Sequence, residues 1–198
     1  MKQNYFILFL LTAVLCACGG AGGQTEIPGY EPGTLTVMFD YTKQSGFGSN
    51  QFAVWIEDAS GNFIKTLYAT KFTADGGYAR RPDSLSIWTD KSGLFNAGTA
   101  DAAAGATPKA GPVFYVWDLT DANGNAVENG TYYYKVEGSI RGKNRTLHTG
   151  EVVVGTAPSA SDATVELLLE ESPGYPKLNE DAAENEMITG VKGIFTPR

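Results

Sequence analysis

Thr34-Leu35-Thr36-Val37-Met38-Phe39-Asp40-Tyr41 is the stretch that decides the fold. Leu35, Val37, Phe39 and Tyr41 fall on one face of an extended chain, and Thr34, Thr36 and Asp40 fall on the other. That period of two predicts a half-buried strand. Working outward, Phe52–Glu57 repeats the pattern with Phe52, Val54 and Ile56. Asn62–Tyr68 follows after Asp58-Ala59-Ser60-Gly61, a connection suited to a hairpin with Gly61 free to take positive φ. Val113–Asp118 and Thr131–Ile140 are predicted to form a second hairpin, because Asp121-Ala122-Asn123-Gly124-Asn125 between them is dense in turn formers. Arg145–Val154, Ala163–Leu169 and Met187–Phe195 complete the predicted strands, with a short one at Ser84–Trp88. Asn179–Glu186 reads as one helical turn. About seven to nine short strands between Gly- and Pro-rich turns predict an all-β, antiparallel β-sandwich.

The chain has 198 residues, of which 42% are hydrophobic and 19% charged, a globular composition. Its formal net charge of -7 repels phosphate backbones and argues against nucleic acid as a partner. At the N-terminus, Lys2 precedes the apolar run Tyr5–Leu15, which is too short to span a bilayer but suits a secretory signal. Leu15-Cys16-Ala17-Cys18 then resembles the bacterial lipobox. Ala17 is the small residue required before a lipidated cysteine, so Cys18 is the expected acceptor of acyl chains. Cys16 would leave with the signal, and the folded part would hold neither thiol nor disulfide. Residues 1–17 are thus read as signal peptide, 18–33 as lipidated cysteine and Gly/Pro tether, and 34–198 as the folded domain. A tether of that length has a root-mean-square span of ~20 Å. No acidic cluster follows Cys18, which favours the periplasmic face of the outer membrane.

Two segments share a pattern of strand, Trp, acidic turn, Gly and strand. Val54-Trp55-Ile56-Glu57-Asp58-Ala59-Ser60-Gly61-Asn62 parallels Val116-Trp117-Asp118-Leu119-Thr120-Asp121-Ala122-Asn123-Gly124-Asn125, offset by one residue. Two hairpins using the same turn chemistry account for this better than a duplication.

Trp117-Asp118 through Gly130-Thr131-Tyr132 resembles the immunoglobulin-like repeat of the flagellar hook-capping protein. That resemblance implies an immunoglobulin-like sandwich with Trp117 anchored in its core. A wider resemblance is to the predicted periplasmic proteins called domain of unknown function 2271. It rests on Phe52-Ala53-Val54-Trp55-Ile56-Glu57-Asp58, Ile64-Lys65-Thr66-Leu67, Trp88, Ala104 to Gly111, Trp117-Asp118, Gly130-Thr131-Tyr132 and the ending Ile188 to Pro197. It implies a compartment and a fold, together with a setting beside envelope flavin and iron-uptake components.

Asp101-Ala102-Ala103-Ala104-Gly105-Ala106-Thr107 resembles the acceptor site for covalent flavin attachment, which would make Thr107 the hydroxyl that takes FMN through a phosphoester. Ala104 and Pro108 stand where that motif has hydroxyl residues, and a connecting loop with small residues for packing is the simpler reading. Asp118, Asp121, Asn123, Asn125 and Glu128 offer oxygens, yet a calcium loop needs six to eight, so a turn is expected. His148 is the single histidine and has no sequence-visible partner, so it is expected on a partly exposed strand. Trp55, Trp88, Trp117 and Tyr132-Tyr133-Tyr134 raise the possibility of sugar stacking, with Trp88 and Tyr133 as candidates; packing is the alternative. The reading is a non-catalytic, lipid-anchored envelope module that binds or assists other envelope proteins. Carbohydrate binding and flavin carriage through Thr107 are the alternatives, and no metal is expected.

Overall fold

The structure, a computed structural model, describes residues 31–45, 49–94 and 104–198. β1 spans Thr34–Tyr41, the range that the alternation predicts, and Leu35, Val37, Phe39 and Tyr41 on its inward face are buried. The other strands are β2 (Gln51–Asp58), β3 (Phe63–Thr70), β4 (Ala104–Gly105), β5 (Gly111–Trp117), β6 (Gly130–Arg141), β7 (Asn144–Val154), β8 (Ser159–Asp162), β9 (Thr164–Leu168) and β10 (Ile188–Thr196). Short helices α1 (Lys71–Ala74) and α2 (Ser86–Lys91) follow β3, and single 3-10 turns occupy Gly77–Ala79 and Ala183–Met187.

The strands form two sheets, ordered β5-β1-β10-β8 and β4-β3-β2-β6-β7-β9. Their facing sides enclose one core, in which Leu35, Val37 and Phe195 meet Phe52, Val54, Ile56, Tyr134 and Val136. Tyr134 spans the gap between the sheets and donates its hydroxyl to the Ser161 carbonyl at 2.7 Å. Its ring occupies the space that a Cβ would need at Gly150 and Gly193, so both positions require glycine. This all-β sandwich is the predicted fold class. It has ten strands among the described residues, because the predicted Ala163–Leu169 strand is preceded by β8 and because β4 adds a two-residue edge.

The outer face of the six-stranded sheet carries a second core. Ala53, Trp55 and Ala69 pack there beneath Ala74, Leu85, Trp88 and Leu94. β2 is therefore buried on both faces, which is why its sequence is nearly continuous in large side chains.

Two expectations are corrected. Val113–Asp118 and Thr131–Ile140 do not pair as a hairpin: β5 pairs with β1 in one sheet, and β6 pairs with β2 and β7 in the other. Leu119, at φ 58, helps the chain leave the first sheet, and the Asp121 turn lies on the crossing. Ser84–Trp88 is not a strand. Leu85 takes a left-handed conformation and supplies no side-chain cap, and the carboxylate of Glu137, from β6, accepts the amides of Ile87 (3.3 Å) and Trp88 (2.8 Å) at the start of α2. A cap supplied by a distant strand leaves no local signal.

Register collects the long connections at one end. Tyr41 pairs with Gly111 and Ile188, Gln51 with Ser139, and Thr70 with Gly105. The chain leaves β1, β3, β4 and β9 from that end, where the two-residue β6–β7 turn also lies, and the Asp58 and Asp121 turns lie at the other.

Candidate functional site

At the loop-bearing end, a cavity of about 290 Å³ opens between the β6–β7 hairpin and its neighbours. Arg80, Arg81 and Arg141 line it, with Ser139 and Ser172 among the hydroxyls and Asp83 as its carboxylate. Each wall has a local cause. The β6–β7 connection is two residues long, with Gly142 at φ 52. A Cβ at Gly142 would lie 2.3 Å from Ser172 Oγ, so glycine lets the Ser172–Tyr175 turn seat directly on the hairpin. Ser172 and Tyr175 exchange backbone hydrogen bonds at 2.9 and 2.8 Å. Asn144 then fixes the following segment, donating to the Pro176 carbonyl at 3.0 Å and accepting the Leu178 amide at 2.9 Å. On the facing side, Arg80 and Arg81 follow the 3-10 turn, and the Arg81 guanidinium lies 5.0 Å from the Phe72 ring centroid.

Two buried donors in this cavity lack a partner among the described residues. The Ser139 hydroxyl is one, on a residue 1% exposed, and Arg141 Nε is the other. Arg141 Nη2 is engaged by Glu184 at 3.4 Å. Buried donors normally find acceptors, so a cavity lined by unsatisfied donors and cations suits an anion.

The buried carboxylates of Glu57 and Glu137 are engaged. Glu137 is fully buried; besides the α2 amides it faces Arg145 at 3.2 Å, and burial pushes its carboxyl above the usual range despite those bonds. Arg145 also donates to Ser86 Oγ. Glu57 accepts Trp55 Nε1 at 2.9 Å and lies 3.6 Å from Lys91 and 3.9 Å from Lys135.

The residues singled out from sequence fall elsewhere. Cys18 lies outside the described residues. Trp88 has no exposed surface and donates its indole N–H to Thr66 Oγ1 at 3.0 Å, so it offers no face to a sugar. Tyr133 is half-buried, with Lys135 Nζ 5.8 Å from its ring centroid, and Trp55 and Trp117 are both fully buried. Thr107 is half-buried just beyond edge strand β4. The small residues before it serve Tyr68: a Cβ at Gly105 would lie 2.4 Å from that ring, and the Tyr68 hydroxyl donates to the Ala106 carbonyl at 2.8 Å. The Asp121 carboxylate accepts the amides of Asn123 and Asn125 and the Asn125 side chain, chiefly the last of which holds it below the usual carboxylate range. For Asp118, partial burial acts upward but is outweighed by hydrogen bonds from Thr120 and Lys65. Among the described residues, no group of three or more His, Cys, Asp or Glu could hold a metal ion.

His148 departs from expectation. It is 5% exposed on the inward face of β7, not partly exposed, because β9 extends the sheet beyond it and the chain before β10 folds across. Burial pushes its imidazole down to about 4. The arginine cavity was missed in sequence. Its visible signals were the Arg80-Arg81 pair and Arg141 in an otherwise acidic chain, but nothing local joins residues sixty positions apart.

The family model for predicted periplasmic proteins, domain of unknown function 2271, matches residues 33–167. The chain belongs to that family. The match covers both sheets except β10 and the last residue of β9, Leu168, and it stops short of the ending Ile188 to Pro197. Its description accords with an exported, cell-envelope address. No curated protein and no solved structure matches the chain.

Proposed function

We propose that this family member is a non-catalytic binding module of the cell envelope, anchored to the membrane through Cys18, and that it takes an anionic ligand at the arginine cavity. The observation that carries the reading is the pair of buried, unpartnered donors, Ser139 Oγ and Arg141 Nε, in a cavity that Arg80 and Arg81 also line. The acidic chain as a whole disfavours polyanions, which selects for small anions that enter the cavity alone. A planar carboxylate or a phosphate suits guanidinium geometry. Other envelope proteins are its expected partners, with the sandwich held close to the bilayer by the Gly/Pro tether.

Calorimetric titration of the mature domain with inorganic phosphate and with citrate tests the reading. At least one should bind saturably, and Arg80→Gln with Arg81→Gln, both surface changes, should weaken binding by about tenfold or more, equivalent to ~1.4 kcal/mol. Absence of binding by both anions at millimolar concentration sinks the proposal. The anchor has its own test: Cys18→Ser should abolish fatty-acid labelling and release the domain from membranes.

A further inference from the structure

A second cavity, of about 420 Å³, opens where the sandwich is left unfilled at one edge. β8 pairs with the second half of β10 and ends at Asp162. The chain then crosses at Ala163, whose amide donates to the Val191 carbonyl at 2.8 Å, and continues as β9 in the other sheet. From Ile188 to Gly190, β10 has no strand partner on that side, and the cavity opens there. Val165 records the gap. It pairs with His148 in register, so both point inward, yet Val165 is 56% exposed. Leu167, Ile188 and Val191 supply the remaining apolar wall.

Two polar atoms in this cavity are buried without a partner among the described residues, His148 Nε2 and Asn185 Oδ1. His148 is 5% and Asn185 8% exposed. The Asn185 amide nitrogen donates to the carbonyls of Asn179 and Glu180, both at 2.9 Å, which turns its oxygen into a fixed acceptor awaiting a donor. The rim carries Asp162, Glu180, Asp181 and Glu186, and among the described residues no Lys or Arg lines the cavity. Asp162 is shared with Lys192 at 3.9 Å, and that lysine is half-exposed.

We propose that this cavity is a ligand site for a small apolar ammonium ion, an alkyl or aryl amine whose body fills the gap between the sheets and whose N–H groups meet Asn185 Oδ1 and His148. The acidic rim favours a cation and disfavours a carboxylate, the reverse of the arginine cavity. An imidazole kept neutral by burial can accept an N–H bond. A preformed apolar pocket with a few convergent polar atoms is the general form of a small-molecule site, and this volume lies in the usual range.

Because His148 is the single histidine, its ring C–H signals in a proton NMR spectrum report on this cavity alone. Titration of the mature domain with n-hexylamine at neutral pH should shift those signals saturably. Hexanoate should not, and n-hexanol should shift them more weakly. The double change Asp181→Asn with Glu186→Gln, on exposed side chains, should weaken hexylammonium by about fivefold or more while leaving hexanol unchanged. His148 signals that stay fixed at saturating amine, or move as readily with hexanoate, overturn the proposal, as does a double variant that binds the amine as tightly as the parent. Phosphate binding at the arginine cavity is read separately, since it involves none of these residues.

Discussion

Trp55 and Trp117 stand in near-copies of one segment, yet they pack on different layers of the molecule. Both turns are built alike. Asp58 Oδ1 accepts the amides of Ser60 and Asn62, and Asp121 Oδ1 accepts those of Asn123 and Asn125, with Gly61 and Gly124 both at positive φ. The offset separates them. Trp55 lies three residues before its turn aspartate and Trp117 lies four, and alternation reverses the face with each residue. Trp117 points between the sheets, where its ring lies 5.1 Å from that of Tyr132 and its N–H reaches the Thr120 carbonyl at 2.7 Å. Trp55 points outward beneath α2 and donates to the buried Glu57 carboxylate. The inner layer is held mainly by apolar contact. The outer layer adds paired charge, Glu57 with two lysines and Glu137 with Arg145 and a helix start.

Truncation is the harshest way to break the comparison. Trp55→Ala and Trp117→Ala should each cost about 3–5 kcal/mol in urea unfolding, since each empties a fully buried site. A cost below ~1 kcal/mol for Trp55 would mean that the outer layer is not a core.

Acid should separate the layers next. His148 faces inward with its Nε2 unpartnered among the described residues, and its imidazole is pushed from 6.5 down to about 4. The unfolded chain then binds the proton more readily, so this contribution is complete above pH 6.5 and is lost as the pH falls towards 4; it amounts to ~3 kcal/mol. Glu137, raised by burial, works in the opposite sense, stabilising at low pH and losing that contribution as the pH rises. Thermal melts between pH 4 and 7 should show a smaller acid loss in His148→Leu than in the parent. Parallel curves would refute the inner-layer assignment.

Trp→Phe changes sharpen the difference in partners. Trp55→Phe should cost ~1 kcal/mol more than Trp117→Phe, because it removes a donor to a buried carboxylate and not to a carbonyl. Equal costs would show that the two lysines suffice for Glu57. The smallest effects belong to the turns. Asp58→Ala and Asp121→Ala should each lower the melting temperature modestly and by similar amounts; a clearly larger loss at one would show that the crossing and the hairpin use the turn differently.

Sequence alone determined what depends on neighbours along the chain. The alternation in Thr34–Tyr41 set a strand and its buried face, and Asp-Ala-x-Gly-Asn set both turns before any partner was known, because pleat and turn geometry are local. Tertiary structure decided which strands met. β5 chose β1 over β6, α2 formed where a carboxylate from β6 could receive its first amides, and His148 was buried by a strand and a loop that follow it. The two cavities belong to this second class. Arg80 meets Ser139 and Arg141, and Asn185 meets His148 and Val165, only where the fold brings distant segments together, which the local pattern of residues does not encode.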